Sequence, residues 1–253
     1  MKVTFLGTGT SMGIPVIGCQ CDACVSADVR DNRLRVSIQI EIEDKIIVID
    51  IGPDFRQQML RAGTTKIDAI LFTHAHSDHV AGLDDIRPFN FMHEKDMPIY
   101  NTKEVATELK KRYGYIFEAT YPGVPKVEQH LISKEHNFVA AGIPIVPIEI
   151  LHGKLPILGF RIGDFAYLTD FKTIDPLEEI KLKGVKTLVI SALQHHPHHS
   201  HSTLTESIAF IERLKIPKAY LTHLSHKMGT HAATAQLLPP HIQIAYDELV
   251  IEA

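Results

Sequence analysis

The 253-residue sequence lacks tryptophan, has only three cysteines and carries no strong excess of either charge. A formal net charge of −4 offers no broad basic face of the kind that holds long nucleic acid or an anionic membrane. No apolar run reaches the roughly 18 residues that a membrane helix needs, and MKVTFLGTGTS at the start lacks the apolar core of a signal peptide. We therefore expect a soluble, cytoplasmic protein that acts on a small molecule, with no membrane partner and no long nucleic acid.

The scarcity of cysteine argues against a disulfide framework. The three cysteines, Cys19, Cys21 and Cys24, all lie in the stretch GCQCDACV. An odd and tightly clustered set in a cytosolic chain more often binds a metal than forms disulfides. A structural zinc site has four ligands, so three thiolates leave one position for a ligand from elsewhere in the chain. The alternative is three free thiols in a loop.

No linker, charge block or low-complexity segment divides the chain, and 45% of its residues are hydrophobic. We therefore expect one domain over residues 1–253. The β-branched segments 36–42 and 45–50 predict a hairpin, and Thr203 with Glu206 forms a capping box ahead of a helix. Blocks of strands with helices between them predict two packed sheets flanked by helices.

The segment HAHSDH, residues 74–79, carries the strongest chemical signal and follows the apolar strand AILFT. Alternate residues of an extended segment point the same way, so His74 and His76 can face one metal. Asp78 and His79, beyond the bend, can face another side. Imidazole and carboxylate ligands suit Zn²⁺, and also Mn²⁺ or Fe²⁺. The alternative is a polar turn with incidental histidines.

Three more metal-type side chains, His152, Asp170 and His223, each follow an apolar strand. Side chains in such positions could converge at one edge of the sheets. Taken singly, each could equally be a turn residue or a surface histidine. Taken with HAHSDH, they complete a set of ligands for two metals.

These residues, in this order, resemble the metallo-β-lactamase fold hydrolases. The resemblance implies an α+β fold, a four-layer αββα sandwich with the site at one edge. It also implies that the ligands divide into two sets with one bridging residue and one bracing residue. These are His74, His76 and His152 for the first metal; Asp78, His79 and His223 for the second; Asp170 as the bridge; and Asp50 as the residue that braces the metal loops.

Three longer segments, GTGTSMGIPVIGCQCDAC, HAHSDHVAGLDDIRPFN and LTHLSH, resemble the PhnP-type phosphodiesterases, which open phosphoribosyl 1,2-cyclic phosphate. This resemblance implies a structural zinc beside a catalytic pair of zinc or manganese ions, and it implies a homodimer. His226 is the candidate for the fourth zinc ligand, since its neighbour His223 fits the catalytic site. The implied structural zinc ligands are Cys19, Cys21, Cys24 and His226.

Two metals can share a hydroxide, lower the pKa of that water and hold phosphoryl oxygens during attack. The departing alkoxide needs a proton, which a histidine can supply. His201 opens the triplet HST, which resembles the proton-donor motif of phosphodiesterases in this superfamily, and we expect it at a helix start that favours anions. We assign catalytic roles to His201 and Asp78. The preceding histidines of LQHHPHHSHS could be a solvated loop or a loose metal-binding tract.

The favoured function is a metal-dependent phosphodiesterase that opens a small cyclic phosphodiester. The alternatives are a tRNase Z-like or exonuclease-type enzyme, a thioester or lactone hydrolase, and a non-catalytic PqqB-like protein. The cluster KKR, residues 110–112, is the only basic one between His79 and His152, which argues against long RNA because phosphate contacts need Lys and Arg. Arg87 could brace the metal loop or reach a phosphate.

Overall fold

A computed structural model describes residues 1–118 and 121–253. Its strands, in chain order, are β1 (Lys2–Gly7), β2 (Ser37–Ile42), β3 (Lys45–Ile49), β4 (Ala69–Leu71), β5 (Met97–Asn101), β6 (Val127–Leu131), β7 (Phe138–Ala140), β8 (Ile143–His152), β9 (Leu155–Ile162), β10 (Phe165–Leu168), β11 (Thr187–Ser191), β12 (Lys218–Thr222), β13 (Ile242–Ile244) and β14 (Val250–Glu252). They form two sheets, ordered β14-β1-β2-β3-β4-β5-β6 and β13-β12-β11-β10-β9-β8-β7.

The α-helices are α1 (Phe55–Ala62), α2 (Ser77–Val80), α3 (Arg87–His93), α4 (Lys103–Arg112), α5 (Gly114–Phe117), α6 (Pro176–Glu179), α7 (Leu204–Arg213) and α8 (His231–Ala235). Four short 3₁₀ segments cover Val29–Asp31, Leu83–Ile86, Ile180–Leu182 and His226–Met228. No helix among these combines the length and the apolarity that a membrane crossing requires.

Three separate apolar cores lie between four layers. The central core joins the inner faces of both sheets, for example Ile38 and Ile49 from one sheet with Phe160 and Tyr167 from the other. One outer core packs α1, α3 and α4 beneath the first sheet, and the other packs α7 beneath the second. The predicted αββα sandwich is therefore confirmed. Removing a side chain from the central core, as in Phe160→Ala, should cost about 3–5 kcal/mol.

Strand directions bring several strand ends to one edge of the sandwich. β3 and β4 run parallel in the first sheet, and β10, β11 and β12 run parallel in the second. β8 is antiparallel to β9, and β9 is antiparallel to β10, so β8 points the same way as β10. Loops at the carboxyl ends of such strands are where α/β proteins gather binding residues.

Several predicted elements have the expected positions. The predicted hairpin is β2–β3, and the Thr203–Glu206 capping box precedes α7. The sequence pattern did not predict the helical turns at 83–93, which lie behind the metal loop. The single domain over residues 1–253 stays a prediction, although β14 pairs with β1 and so joins both ends of the chain in one sheet.

Candidate active site

Five polar residues meet at the edge where the strands end. Asp50 directly follows β3, His74 lies three residues beyond β4, and His152 is the last residue of β8. Asp170 lies two residues beyond β10, and His223 directly follows β12. All five side chains are buried or nearly so. Metal-type residues that follow apolar strands in the sequence thus lie together in space.

Three of these residues share an uncommon backbone conformation. Asp50, Asp170 and His223 have φ values of 62°, 55° and 56°, in the left-handed region. Residues other than glycine rarely adopt this region, and each instance costs of order 1–3 kcal/mol. Each turn occurs as the chain leaves a strand, where it redirects a side chain. Such strain is common at functional sites, and at this edge it falls on three of the five residues that meet there.

The first donor set consists of His74, His76 and His152, whose ligand atoms lie within 4.8 Å of one another. His74 Nε2 is 2.9 Å from His76 Nδ1. His152 Nδ1 donates to the carbonyl oxygen of Ser200 at 2.9 Å, which leaves its Nε2 available to a metal. A carbonyl acceptor of this kind fixes the tautomer of a metal-binding histidine. Nothing in the sequence marks Ser200 as this partner.

The second donor set consists of Asp78, His79 and His223, again within 4.8 Å. Asp78 Oδ2 lies 3.4 Å from His79 Nε2 and 3.7 Å from His223 Nε2. Both histidines are buried. The structure therefore brings together the second set that the resemblance implied.

Asp170 lies between the two sets. Its Oδ2 is 3.2 Å from His79 Nε2, and its Oδ1 is 3.3 Å from His223 Nε2. An oxygen of Asp170 also lies within 4.8 Å of a ring nitrogen of His74, from the first set, and of His79, from the second. This central position is the one that a bridging carboxylate would need.

Asp50 braces the metal loop from behind. Its carboxylate accepts the backbone N–H of Thr73 at 2.9 Å and the Thr73 hydroxyl at 2.7 Å. It also accepts from His79 Nδ1 at 2.7 Å, so the His79 Nε2 atom faces Asp170. The Thr73 hydroxyl in turn accepts from His74 Nδ1 at 2.9 Å. One buried carboxylate thereby orients a histidine from each donor set, as second-layer partners of metal ligands commonly do.

A glycine permits the close approach on which this bracing depends. A Cβ atom at Gly52 would lie 2.1 Å from the carbonyl oxygen of Asp78. That carbonyl is backbone and has no room to move, since Ile51 N–H also donates to the carbonyl of His79 at 2.8 Å. Only a residue without a side chain therefore fits beside the metal loop at this point.

The electrostatics of the cluster favour a cation. Burial lowers the pKa of His79, but Asp170, Asp50 and Asp78 together raise that pKa well above its usual value. Burial raises the pKa of Asp170, but His223 and His79 hold it well below its usual value. The pKa of Asp78 is also lowered, against the effect of burial, by His79 and His223. Burial lowers the pKa of His74 and His76, and nearby histidines lower both further. The ionised carboxylates of Asp78 and Asp170 thus stabilise positive charge at His79, while His74 and His76 stay neutral.

Unsatisfied nitrogens give a direct test of whether the cluster fits metal ions. His79 Nε2 and both ring nitrogens of His223 are buried without a hydrogen-bond partner in residues 1–118 and 121–253. Buried polar atoms in folded proteins are nearly always paired, and metal coordination would supply what the two Nε2 atoms lack. Imidazole and carboxylate donors suit Zn²⁺ and Mn²⁺. The residues present therefore fit two divalent ions.

His201 borders both donor sets. Its ring centroid lies 4.4 Å from that of His152 and 5.0 Å from that of His223, and its Nδ1 is 3.8 Å from Asp170 Oδ1. Burial, with a further contribution from His223, lowers the pKa of His201 to about 3. The imidazole is therefore neutral at pH 7 in the structure as it stands, and it carries a proton on one nitrogen only.

The expected anion site at the start of the following helix is not available. Helix α7 begins at Leu204, three residues after His201. The Glu206 carboxylate accepts the Thr203 backbone N–H at 2.7 Å, and Lys172 donates to the same carboxylate at 3.0 Å. The capping box thus already supplies an anionic group to this helix end. The prediction that this helix start favours an anion beside His201 was therefore wrong. His201 nevertheless lies beside both donor sets.

A separate cluster holds Cys19, Cys21, Cys24 and His226. His226 Nδ1 lies 3.2, 3.5 and 3.7 Å from the Sγ atoms of Cys19, Cys21 and Cys24. Tetrahedral zinc with ordinary bond lengths would place sulfur and nitrogen ligands about 3.6 Å apart. A hydrogen bond with the Cys24 backbone lowers the pKa of Cys21 to about 6, against the effect of burial. Side-chain contacts with Cys19, His226 and Cys24 lower this pKa further. These four residues therefore fit one structural zinc.

The remaining sequence candidates have other surroundings. Arg87 donates to Asp84 Oδ1 at 2.8 Å, and the hydroxyl of Tyr115 donates to the same atom at 2.7 Å. Arg87 therefore braces the segment after the metal loop. His195, His196 and His199 are exposed, which agrees with a solvated loop.

Comparisons with known proteins identify the family of the chain. The sequence model of the beta-lactamase superfamily domain matches residues 45–224. A curated protein of Porphyromonas gingivalis named octanoyltransferase is 40% identical over 252 residues, 98% of this chain. The chain spans about half the length of that curated relative, 51%.

Two solved structures resemble the chain over its whole length. One is described as the crystal structure of a new diphosphatase from the PhnP family, with 41% identity, a TM-score of 0.92, and coverage of 99% of this chain and 96% of that one. The other is zinc-bound PqqB from Methylobacterium extorquens, with a TM-score of 0.80 over 100% of both chains, and at 18% identity it shares the fold. The chain belongs to the PhnP family within the metallo-β-lactamase superfamily.

Proposed function

We propose that this protein is a metal-dependent phosphodiesterase that hydrolyses a small cyclic phosphodiester resembling phosphoribosyl 1,2-cyclic phosphate. The observation that carries the proposal is the place of Asp170 between two complete donor sets. Its carboxylate lies within 3.3 Å of His79 and His223 from the second set, and within 4.8 Å of His74 and His152 from the first. A shared carboxylate between two sets of three ligands is suited to a pair of ions. The chain's membership of the PhnP family, to which the similar diphosphatase also belongs, supports the same chemistry.

The ligands would divide as the resemblance implies. His74, His76 and His152 would hold one Zn²⁺ or Mn²⁺ ion, and Asp78, His79 and His223 would hold the other, with Asp170 shared. A bound pair of this kind lowers the pKa of a water molecule and offsets charge on phosphoryl oxygens. Thr73 and Asp50 keep His74 and His79 oriented, and the Ser200 carbonyl does so for His152.

His201 would supply the proton to the leaving oxygen. Its ring lies against His152 and His223, one residue from each donor set, so it borders the position of the reacting phosphate. Its low pKa opposes proton donation in the free protein. An anionic phosphate beside the ring stabilises the protonated form and raises the pKa. Substrate binding would therefore prepare His201 for its role.

Asp78 differs from Asp170 in its access to the site. The Asp78 side chain is 12% exposed, whereas that of Asp170 is 2% exposed. Asp78 would therefore be the carboxylate that contacts the attacking water as well as a metal. This difference in access supports its catalytic assignment.

The alternative of an RNA phosphodiesterase like tRNase Z finds less support. In the basic cluster of α4, Arg112 pairs with Glu108 at 3.6 Å, and the Lys110 ammonium lies 5.9 Å from the centre of the Phe117 ring. Glu104 and Glu108 on the same helix offset part of the positive charge that contacts with a phosphate backbone need. The octanoyltransferase name belongs to a protein about twice as long, and the metal-type donors described here favour hydrolysis over acyl transfer. A PqqB-like protein without catalysis would not need all seven ligands.

A hydrolysis screen tests the proposal. The purified protein, loaded with Zn²⁺ or Mn²⁺, is incubated with ribose 1,2-cyclic phosphates, 2′,3′- and 3′,5′-cyclic nucleotides, dinucleotides and a tRNA precursor. The proposal expects the ribose cyclic phosphates to be opened with the highest kcat/KM. Preferential cleavage of the tRNA precursor would instead establish the nuclease alternative.

We also propose that Cys19, Cys21, Cys24 and His226 bind one structural zinc, a third metal beside the catalytic pair. The sulfur-to-nitrogen distances support this assignment. The homodimer that the resemblance implied remains a prediction.

A further inference from the structure

One ring nitrogen of His201 is buried without a bonding partner. Its Nδ1 atom makes no hydrogen bond to any group in the described part of the chain. Asp170 Oδ1 lies 3.8 Å from this nitrogen, which is too far for a hydrogen bond. Since buried polar atoms are nearly always paired, Nδ1 needs a partner that the described residues do not supply.

The unpaired nitrogen belongs to a third group of potential metal ligands. Ligand atoms of His152, Asp170 and His201 lie within 4.8 Å of one another. Atoms that share one ion lie about 3–4 Å apart when each bond is about 2.0–2.2 Å long. The 3.8 Å between His201 Nδ1 and Asp170 Oδ1 is within that range. The group includes His152 from the first donor set, so His201 faces the ion that His152 would hold.

The neighbours of His201 hold its backbone in place. The carbonyl oxygen of Ser200 accepts from His152 Nδ1 at 2.9 Å. The N–H of Ser202 donates to the carbonyl oxygen of Phe171 at 2.8 Å, and Ser202 is completely buried. A side chain on a backbone fixed in this way is suited to a precise role such as metal coordination.

A further ligand at this position would compete with the substrate. Catalytic zinc sites commonly have three protein ligands and keep another position for water or substrate. His74, His76 and His152 would be the three ligands of one ion, here called the first ion. The ring of His201 is buried and lies 4.4 Å from that of His152, between centroids. An imidazole this close takes up space that a phosphate on the first ion needs.

We propose that His201 Nδ1 is a ligand of the first ion in the protein without substrate, and that a phosphate displaces it. This inference rests on the metal pair of the proposed function. It gives His201 two successive roles, because a nitrogen that binds a metal does not also carry a proton. Part of the binding free energy of a phosphate is then used to displace His201, and the released ring lies beside the reacting group.

NMR of the zinc-loaded protein with ¹⁵N-labelled histidine observes this ligand directly, because long-range ¹H–¹⁵N spectra distinguish metal-bound, protonated and free imidazole nitrogens. We expect a metal-bound Nδ1 that is lost in His201→Gln and retained in His198→Gln. Inorganic phosphate should move this signal out of the metal-bound range. A His201 Nδ1 that is protonated or free before phosphate is added, or that stays metal-bound at saturating phosphate, would overturn the inference.

Phosphate affinity provides a second test, with a sign opposite to that of an ordinary contact residue. Loss of a side chain that only contacts phosphate weakens binding, whereas loss of a ligand that phosphate must displace strengthens it. Calorimetry with inorganic phosphate should show binding at least about 10-fold tighter in zinc-loaded His201→Ala than in the wild type. Affinity for the first ion should fall by at least about 10-fold, since even groups that only support metal ligands contribute that much.

His198→Ala is the matched control for both affinities. The His198 ring lies 5.2 Å from that of His201, between centroids, but among the described residues His198 belongs to none of the potential ligand groups. It should leave both affinities unchanged, with equal metal content verified by elemental analysis. Phosphate binding that is unchanged or weaker in His201→Ala would overturn the displacement.

Neither measurement uses turnover, so this inference and the proposed function can fail separately. If the protein opens no cyclic phosphodiester, the proposed function fails, while the NMR signal and the phosphate affinity still decide the role of His201. If hydrolysis is observed but Nδ1 is not metal-bound, only the role of His201 as a ligand fails.

Discussion

His223 and His226 lie three residues apart but belong to different clusters of metal-type donors. His223 Nε2 is 3.3 Å from Asp170 Oδ1, whereas His226 Nδ1 is 3.2 Å from Cys19 Sγ. The left-handed conformation of His223 separates their directions as the chain leaves β12. Between them, Leu224 donates its N–H to Thr8 at 2.9 Å, and its carbonyl accepts from Thr10 at 3.2 Å. The short segment therefore ties the cysteine loop to the rim of the candidate active site.

Substitution of each histidine should separate the two sites. His223→Ala should lower activity by more than about 100-fold, because loss of second-layer partners alone costs 10- to 100-fold, while the cysteine cluster keeps its zinc. His226→Ala and Cys21→Ser should each lose that zinc and lower thermal stability, with the catalytic ions retained. Elemental analysis and turnover of each purified variant provide the measurement.

His241→Ala is the control for these variants, because His241 lies at the surface 3.4 Å from Glu212 and away from both clusters. It should keep full metal content and activity. Loss of the same metal from His223→Ala and His226→Ala would contradict two separate sites.

The role of His201 as proton donor predicts a dependence on the leaving group. General acid catalysis contributes about 10²- to 10⁴-fold when the leaving group is a poor one. His201→Ala should therefore lower kcat by that factor for an alkyl phosphodiester, which must be protonated as it departs. For a p-nitrophenyl phosphodiester, which needs little protonation, the loss should be much smaller. Equal losses on both substrates would leave His201 with a structural or metal-binding role, as its contact with Asp170 also allows.

A buried aspartate away from the metals should make stability depend on pH. Asp247 accepts the Leu34 backbone N–H and the Thr8 hydroxyl, both at 2.8 Å. Burial nevertheless raises the pKa of Asp247 to about 6 from 3.8, since these hydrogen bonds and Arg33 compensate only in part. The folded protein then binds more protons than the unfolded chain between these values, so stability falls as pH rises. The fall should total about 3 kcal/mol by pH 7.5.

The variant Asp247→Asn isolates this effect. The free energy of unfolding of the wild type, minus that of the variant, should decrease by about 2.5 kcal/mol between pH 4 and pH 7.5. Taking the difference removes the titration of the metal ligands, which both proteins share. Asp164→Asn is a control, because Asp164 lies at the surface, where its pKa is lowered by Lys186. A wild-type minus Asp247→Asn difference that stays constant across this range would refute the assignment.

The fold and the metal-type donors were predictable from the sequence because apolar strands end directly in ligands. HAHSDH, His152, Asp170 and His223 follow that rule, and strand direction then brings them to one edge. The contact from His152 to Ser200 was not predictable, since it joins residues 48 apart and uses a backbone carbonyl.

Other features of the site require the three-dimensional arrangement. The left-handed turns at Asp50 and Asp170 leave no mark in the sequence, because aspartate occurs in many backbone conformations. The start of α7, where the Glu206 carboxylate caps the helix, could have been predicted. The Thr203–Glu206 capping box was visible in the sequence and argues against a further anion there.

The most direct test of the central claim is a metal titration followed by phosphorus NMR. Metal-free protein is titrated with Mn²⁺ or Zn²⁺ in the presence of ribose 1,2-cyclic phosphate bearing a 5-phosphate, and the conversion of cyclic diester to monoester is measured. The account predicts that hydrolysis appears only with bound metal, saturates at two catalytic ions per chain, and is abolished in Asp170→Asn. Hydrolysis that saturates at a single ion per chain, or that persists in Asp170→Asn, would contradict it.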